Sequence, residues 1–199
     1  MASPSVTPTT FPTTIAATNA AMLAQAAAAN NYKQFIESAA QQFGFQPAVI
    51  CGIGSRESGW GLLLKPPGPG GTGDFAPRKN TKPFRPGPLP PDGGGYGRGL
   101  MQIDFDAFPF AQTDDWKDPQ ASIHFGCQVL HSNFVFLSSH TTLQGPMLLR
   151  GAIAAYNCGA GNVRKAFQQS QDVDFFTAHS NYSADVLNRA GFFQQLGWV

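Results

Sequence analysis

The chain contains only two glutamates, and their settings differ. Glu37 lies opposite the apolar series Tyr32, Phe35 and Ala39, so a helix there leaves it in water. Glu57 follows Ile50 by seven positions and Ile53 by four, so a helix through these residues puts its carboxylate on the apolar face beside Trp60. Burial penalises the ionised form and raises the pKa, which is what a general acid near neutral pH requires. A carboxylate paired with Arg56 or another arginine at the helix end is the competing reading. Asp92, Asp104 and Asp106 form a second acidic set. Asp92 stands in Asp92-Gly93-Gly94-Gly95, where aspartate commonly turns the backbone, and Asp104 could equally cap a short helix through Phe108. His124, Cys127 and His131 share spacings of three and four on one predicted helix, in reach of a zinc ion. No fourth ligand or supporting carboxylate stands nearby, and Ile123, Val129, Leu130 and Phe134 on the same helix favour a core thiol and partly buried imidazoles.

The elements that must position these groups are mainly helical. Alanine density predicts a helix over 15–29, and the apolar period predicts another over 31–43, ended by Gly44. A third opens at Pro47 and stops near Gly59. Residues 65–95 hold most of the Gly and Pro excess and read as one long surface loop, with Asp74 inside it. A short extended piece over 96–104 follows, then helices over 119–137, 146–156, 162–169 and 181–196. The bend Ala155-Tyr156-Asn157-Cys158-Gly159-Ala160-Gly161 lets Asn157 approach a polar ligand, or is an ordinary helix corner. Tyr182 opens an apolar stripe with Val186 and Phe193, the place of a core aromatic.

The whole chain fits one domain. Residues 1–14, rich in Ser, Thr and Pro and without charge, read as a flexible tail before a single domain over 15–199. The net charge of +1 supplies no field to gather nucleic acid, and no run is long enough to insert in a membrane. Charged residues make up 13%, well under the usual quarter or so, so the surface leans on amides and hydroxyls. Within that charge-poor chain Lys65, Arg78, Lys79, Lys82 and Arg85 cluster in the loop, where they would attract an anionic polymer. Cys51, Cys127 and Cys158 cannot all pair with one another and read as small buried thiols. Residues 1–14 show neither the basic nor the apolar region of a signal peptide.

Taken in order, Ser55-Arg56-Glu57-Ser58, Gly97-Arg98-Gly99-Leu100-Met101-Gln102-Ile103-Asp104, Ala155-Tyr156-Asn157 through Val163 and Asn181-Tyr182-Ser183-Ala184-Asp185-Val186 resemble the goose-type lysozymes and, more widely, the soluble lytic transglycosylases. The resemblance runs over about residues 16 to 198. It implies a lysozyme-like α+β globule with a helical core and a small irregular or β lobe carrying the 65–95 insertion. It makes Glu57 the catalytic acid, Asp104 the aspartate that positions water and Asp92 its upstream companion, with Asp74 a competitor for that last place. Gln102, Tyr156, Asn157 and Tyr182 would line the saccharide cleft. The implied activity is a muramidase acting on peptidoglycan or a chitin-type oligosaccharide, as a monomer, secreted or facing the cell wall, with no cofactor and no metal. A lytic transglycosylase and a non-catalytic glycan-binding module are the rivals. The cysteines do not reproduce the disulfide pattern of the bird enzymes, and Gly59-Trp60 after Ser58 departs from the family.

Overall fold

The computed structural model describes residues 9–76, 78 and 89–199. Seven α-helices occur among them: α1 (Ala20–Asn30), α2 (Lys33–Phe43), α3 (Pro47–Ser58), α4 (Pro119–His140), α5 (Gly145–Cys158), α6 (Ala160–Gln168) and α7 (Tyr182–Gln195). Between α3 and α4 lie three two-residue strands, β1 (Thr72–Gly73), β2 (Gly97–Arg98) and β3 (Ile103–Asp104). This is the mainly helical lysozyme-like architecture expected, with a small β lobe.

Residue choice explains the helix carrying Glu57. Pro47 sits in its first turn, where a missing N–H costs nothing, and Gly59 in the left-handed conformation (φ 57°) caps its end. Nearly every α3 residue from Ala48 to Ser55 is buried. Gly52 allows α7 to approach, since a Cβ there would stand 2.5 Å from the Val186 carbonyl oxygen. That close contact brings the start of α7, and with it Tyr182, over the end of α3. Behind them Ile36, Ile50, Ile53, Ile123, Leu130, Ile153, Phe192 and Phe193 form the apolar core.

The strands make one antiparallel sheet in the order β1-β2-β3. Gly73 pairs with Gly97 and Gly97 with Asp104, so the ends of β1 and β3 lie level on either side of β2. The Tyr96 backbone continues the pattern: its N–H donates to the Asp74 carbonyl (2.9 Å) and its carbonyl accepts from Phe105 N–H (2.8 Å).

Several expectations need correction. The first helix starts at Ala20, with Asn19 accepting from Met22 N–H as its N-cap, not at residue 15. The 65–95 segment is not wholly loop: Thr72 and Gly73 belong to the sheet, and Lys65 forms a bridge with Thr72. The segment 9–14, expected within the flexible tail, is docked. Phe11 is buried in the core, its N–H donates to Gln194 Oε1 (2.8 Å), and Thr14 N–H donates to Asn188 (2.8 Å). One large apolar side chain suffices to anchor an otherwise linker-like sequence. The remainder of the expected tail, 1–8, and residues 77 and 79–88 of the expected loop lie outside the described residues, and with them Lys79, Lys82 and Arg85.

Candidate active site

Glu57 stands one residue before the end of α3, half-buried. The Tyr182 hydroxyl, from a side chain only 2% exposed, donates to its Oε1. Arg56 does not pair with it. That guanidinium turns to Asp185 (3.1 Å), which Arg189 also holds (2.8 Å). With no cation paired to it among the described residues, burial dominates and pushes the Glu57 carboxyl up to about 7, against the smaller opposing effects of the Tyr182 hydrogen bond and the more distant Arg56 charge. Tyr156 flanks the same carboxyl. Its hydroxyl donates to the Met101 carbonyl (2.9 Å), and burial followed by the nearby Glu57 charge raises its own pKa.

Asp104 has the opposite setting. Its Oδ1 accepts from the N–H groups of Asp106 and Ala107, both at 2.9 Å, and its Oδ2 meets Arg78 Nη2 at 2.5 Å. Burial alone would raise its pKa, but the Arg78 hydrogen bond and charge, with the two backbone donors, outweigh it and hold Asp104 below the ordinary carboxylate range. No helix runs from Asp104 through Phe108, so the expected cap is replaced by a turn over 105–107 from whose N–H groups Asp104 accepts, alongside the ion pair.

Asp74 and Asp92 part company. Asp74, just past β1, reaches the same Arg78 Nη2 at 2.8 Å and so joins Asp104. Asp92 accepts from both terminal nitrogens of Arg98 (2.7 and 2.9 Å) and from Gly94 N–H (3.1 Å). Arg98 is 1% exposed and packs its guanidinium against the rings of Phe105 and Trp116, so Asp92 is the counter-ion of a buried cation. The Arg98 hydrogen bonds account for its lowered pKa.

Gln102, in the left-handed region (φ 48°), folds its amide across the hairpin and donates to the Gly99 carbonyl (2.9 Å). A Cβ at Gly73 or at Gly97 would come within 2.2 Å of its Oε1, so a side chain on either strand would have to displace the Gln102 amide. Asn157 is exposed and accepts from Ala178 N–H (2.8 Å), tying the α5–α6 corner to the segment before α7. Glu37 is solvated and bridges Lys33 at 3.7 Å. Cys51 and Cys127 are buried thiols and Cys158 is partly exposed. His124 and His131 pack against the Phe43 ring. Among the described residues no three His, Cys, Asp or Glu side chains converge on a metal position, and no helix is long and apolar enough to cross a membrane.

An apolar hollow of about 520 Å³ lies elsewhere, lined by Phe11, Phe45, Val49, Phe134, Leu149 and Leu187 and holding none of these carboxylates. Sequence reasoning underrated Arg78, which looked like one loop cation among five. A faint signal existed: Thr72 is the only β-branched residue between Ile53 and Thr81, marking a strand that ends just before Asp74.

The profile of the family described as Lysozyme g matches residues 92–197. "Lysozyme g" of Gallus gallus is 33% identical over 170 residues, covering 85% of this chain and 66% of the relative. "Lysozyme G" of Dromaius novaehollandiae is 31% identical over 170 residues, 85% of this chain and 69% of the relative. "Lysozyme g" of Epinephelus coioides is 29% identical over 171 residues, 82% of this chain and 74% of the relative. The chain thus spans about two thirds of the length of the bird relatives. A stretch of 85% of the chain includes Glu57 wherever it begins.

Proposed function

The chain belongs to the goose-type lysozyme family of glycoside hydrolases, and from that premise we propose that it is a muramidase. It hydrolyses the β-1,4 bond between N-acetylmuramic acid and N-acetylglucosamine of peptidoglycan, with Glu57 as general acid. The observation that carries this reading is the split between two carboxylates: Glu57, half-buried with one tyrosine hydroxyl donating to it, is pushed up to about 7 by burial, whereas Asp104, gripped by Arg78 and two backbone N–H groups, is held below the ordinary carboxylate range. Opposed environments of this kind assign acid and base roles to chemically similar groups.

In the proposed mechanism Glu57 gives its proton to the glycosidic oxygen as the bond to the anomeric carbon breaks. Positive charge develops at that carbon. Asp104, on the other wall, orients water to attack from the opposite face, so the anomeric configuration inverts. Its companion is Asp74, not Asp92. Sharing one guanidinium with Asp104 supports Asp74 for that place, whereas both Asp92 oxygens are committed to Arg98. An inverting pathway requires a gap of about 6.5 to 9.5 Å between acid and base carboxyls to hold the water. Tyr182 and Tyr156 border the acid, and Gln102 and Asn157 line the cleft beyond them. One chain supplies both walls, so a monomer suffices, and the substrate gives it a secreted or wall-facing place of work. The chemistry calls on no metal or cofactor.

Mass spectrometry of digested peptidoglycan tests the reading. Reducing muramic acid ends are expected. Ends bearing a 1,6-anhydro ring would make the protein a lytic transglycosylase, in which the muramic 6-hydroxyl replaces water, and uncut glycan would leave a binding module.

A further inference from the structure

Two carboxylates meet on one nitrogen. Arg78 Nη2 lies 2.8 Å from Asp74 Oδ2 and 2.5 Å from Asp104 Oδ2, so the sum of these distances, 5.3 Å, is the most that can separate the two oxygens. Like charges that close raise each other's proton affinity, and an intervening cation reverses the effect. A third carboxylate, Asp106, stands 3.3 Å from Nη1.

The guanidinium is built in. It lies 3.9 Å over the Tyr96 ring, and Tyr96 is the residue whose backbone links Asp74 to Phe105. The cation is thereby centred where β1 and β3 come level. Asp104 has already committed Oδ1 to two backbone N–H groups, leaving Oδ2 as the oxygen that faces both Arg78 and any water. The charged groups around this centre, among the described residues, are Asp74, Asp104, Asp106 and Arg78. Lys65 has its ammonium 5.7 Å from the Phe75 ring centre and pairs with none of these carboxylates, and Arg98 on the intervening strand is turned to Asp92.

We infer that Arg78 is a positioning residue of the hydrolytic reaction: it clamps Asp74 and Asp104 as a charged pair on one wall of the cleft and so keeps Asp104 able to orient water. The inference rests on the reading of Asp104 as the water-orienting group. Arg78 touches neither the sugar nor the leaving oxygen in this role, and acts through the aspartates. It also changes the meaning of the loop cations: this one is consumed within the protein and does not serve as an attractor of wall polymer.

The test uses Arg78→Gln, Arg78→Lys and the double variant Arg78→Gln/Asp74→Asn in the full chain, with two readouts. One is the pH–rate profile on peptidoglycan, and the other is the titration of the Asp104 carboxyl by carbon NMR, which needs no activity. In Arg78→Gln the acid limb and the Asp104 titration should both move up by about one pH unit, tenfold in proton concentration, because the carboxylates then face each other without a cation. The limb assigned to Glu57 should stay. Arg78→Lys should restore most of the shift, since it keeps the charge and loses only the fork. Removing Asp74 as well should bring the Asp104 titration back down, a compensation that a merely structural arginine would not produce. An Asp104 titration unchanged in Arg78→Gln, or a shift that neither second variant reverses, overturns the inference. A carboxyl titration that moves while the rate profile does not would uphold the clamp and refute the role of Asp104 in orienting water. Should Arg78→Gln not fold, the lysine variant against wild type decides by the same titration: a shift smaller than half a unit supports the charge clamp, and a larger one overturns it.

Discussion

The two walls of the proposed cleft, the helix end that carries Glu57 and the strand end that carries Asp104, solve opposite problems with the same functional group. On the helical wall, Glu57 emerges from a helix whose preceding residues are almost all buried, and the nearest cation, Arg56, is drawn away by Asp185. Among the described residues only one tyrosine hydroxyl donates to the charged form of Glu57, with the Arg56 charge acting from further away. On the β wall, Asp104 has a guanidinium and two backbone donors within hydrogen-bond distance, and the next carboxylate along, Asp92, has a guanidinium of its own. The contrast teaches that burial alone does not make an acid. Asp104 is partly buried too, yet donors aimed at its charged form decide the outcome. A helix end surrounded by apolar side chains withholds donors, whereas a tight turn after a strand supplies them from its own backbone.

Breaking the helical wall should have the largest effect. Glu57→Gln keeps the shape and the Tyr182 contact but has no proton to give, so turnover of peptidoglycan should fall at least ~10²-fold while the fold persists. Near-normal release of reducing ends by this variant would end the assignment.

Next comes a ranking within the β wall. Asp104→Asn should slow hydrolysis roughly tenfold to a hundredfold with glycan binding largely retained, and Asp74→Asn should slow it less. Asp92→Asn should leave the rate of the folded enzyme alone and instead lower stability by about 1 to 2 kcal/mol, seen in thermal or denaturant unfolding, because it weakens the partner of a buried cation. The cost stays below that of a fully buried pair because Asp92 itself is 56% exposed and screened by water. If Asp92→Asn abolished turnover without loss of stability, Asp92 and not Asp74 would be the companion of Asp104.

The smallest effect sharpens the comparison by removing the single donor on the helical wall. The Tyr182 hydroxyl bonds the charged form of Glu57 and lowers its pKa, so in Tyr182→Phe burial is opposed only by the more distant Arg56 charge and the pKa rises above about 7. Stabilisation of the acid form then extends further before it is lost as pH rises. The alkaline limb of the pH–rate profile should accordingly move up by on the order of half to one unit. A downward move would mean that the tyrosine supports the neutral acid instead.

Much of this was legible in order along the chain. The spacing of Ile50, Ile53 and Glu57 gave the face of α3, and Pro47 and Gly59 gave its ends, because helix periodicity and capping are local rules that one segment obeys by itself. The raised pKa of Glu57 followed from the same pattern. The helices after residue 119 were placed within a few residues for the same reason, and the ordered motifs carried the family resemblance. The sequence could not place Asp74 beside Asp104. Their meeting depends on the register of three two-residue strands across a long insertion, and strands so short leave almost no period-two pattern to read. Nor could it say that Arg56 belongs to Asp185, that Asp92 belongs to Arg98, or that Phe11 pins the chain's start to α7. Each of these is a choice among several possible partners far apart in sequence, and only the packed fold, which fixes the distances between charges and the apolar surface left to cover, makes the choice.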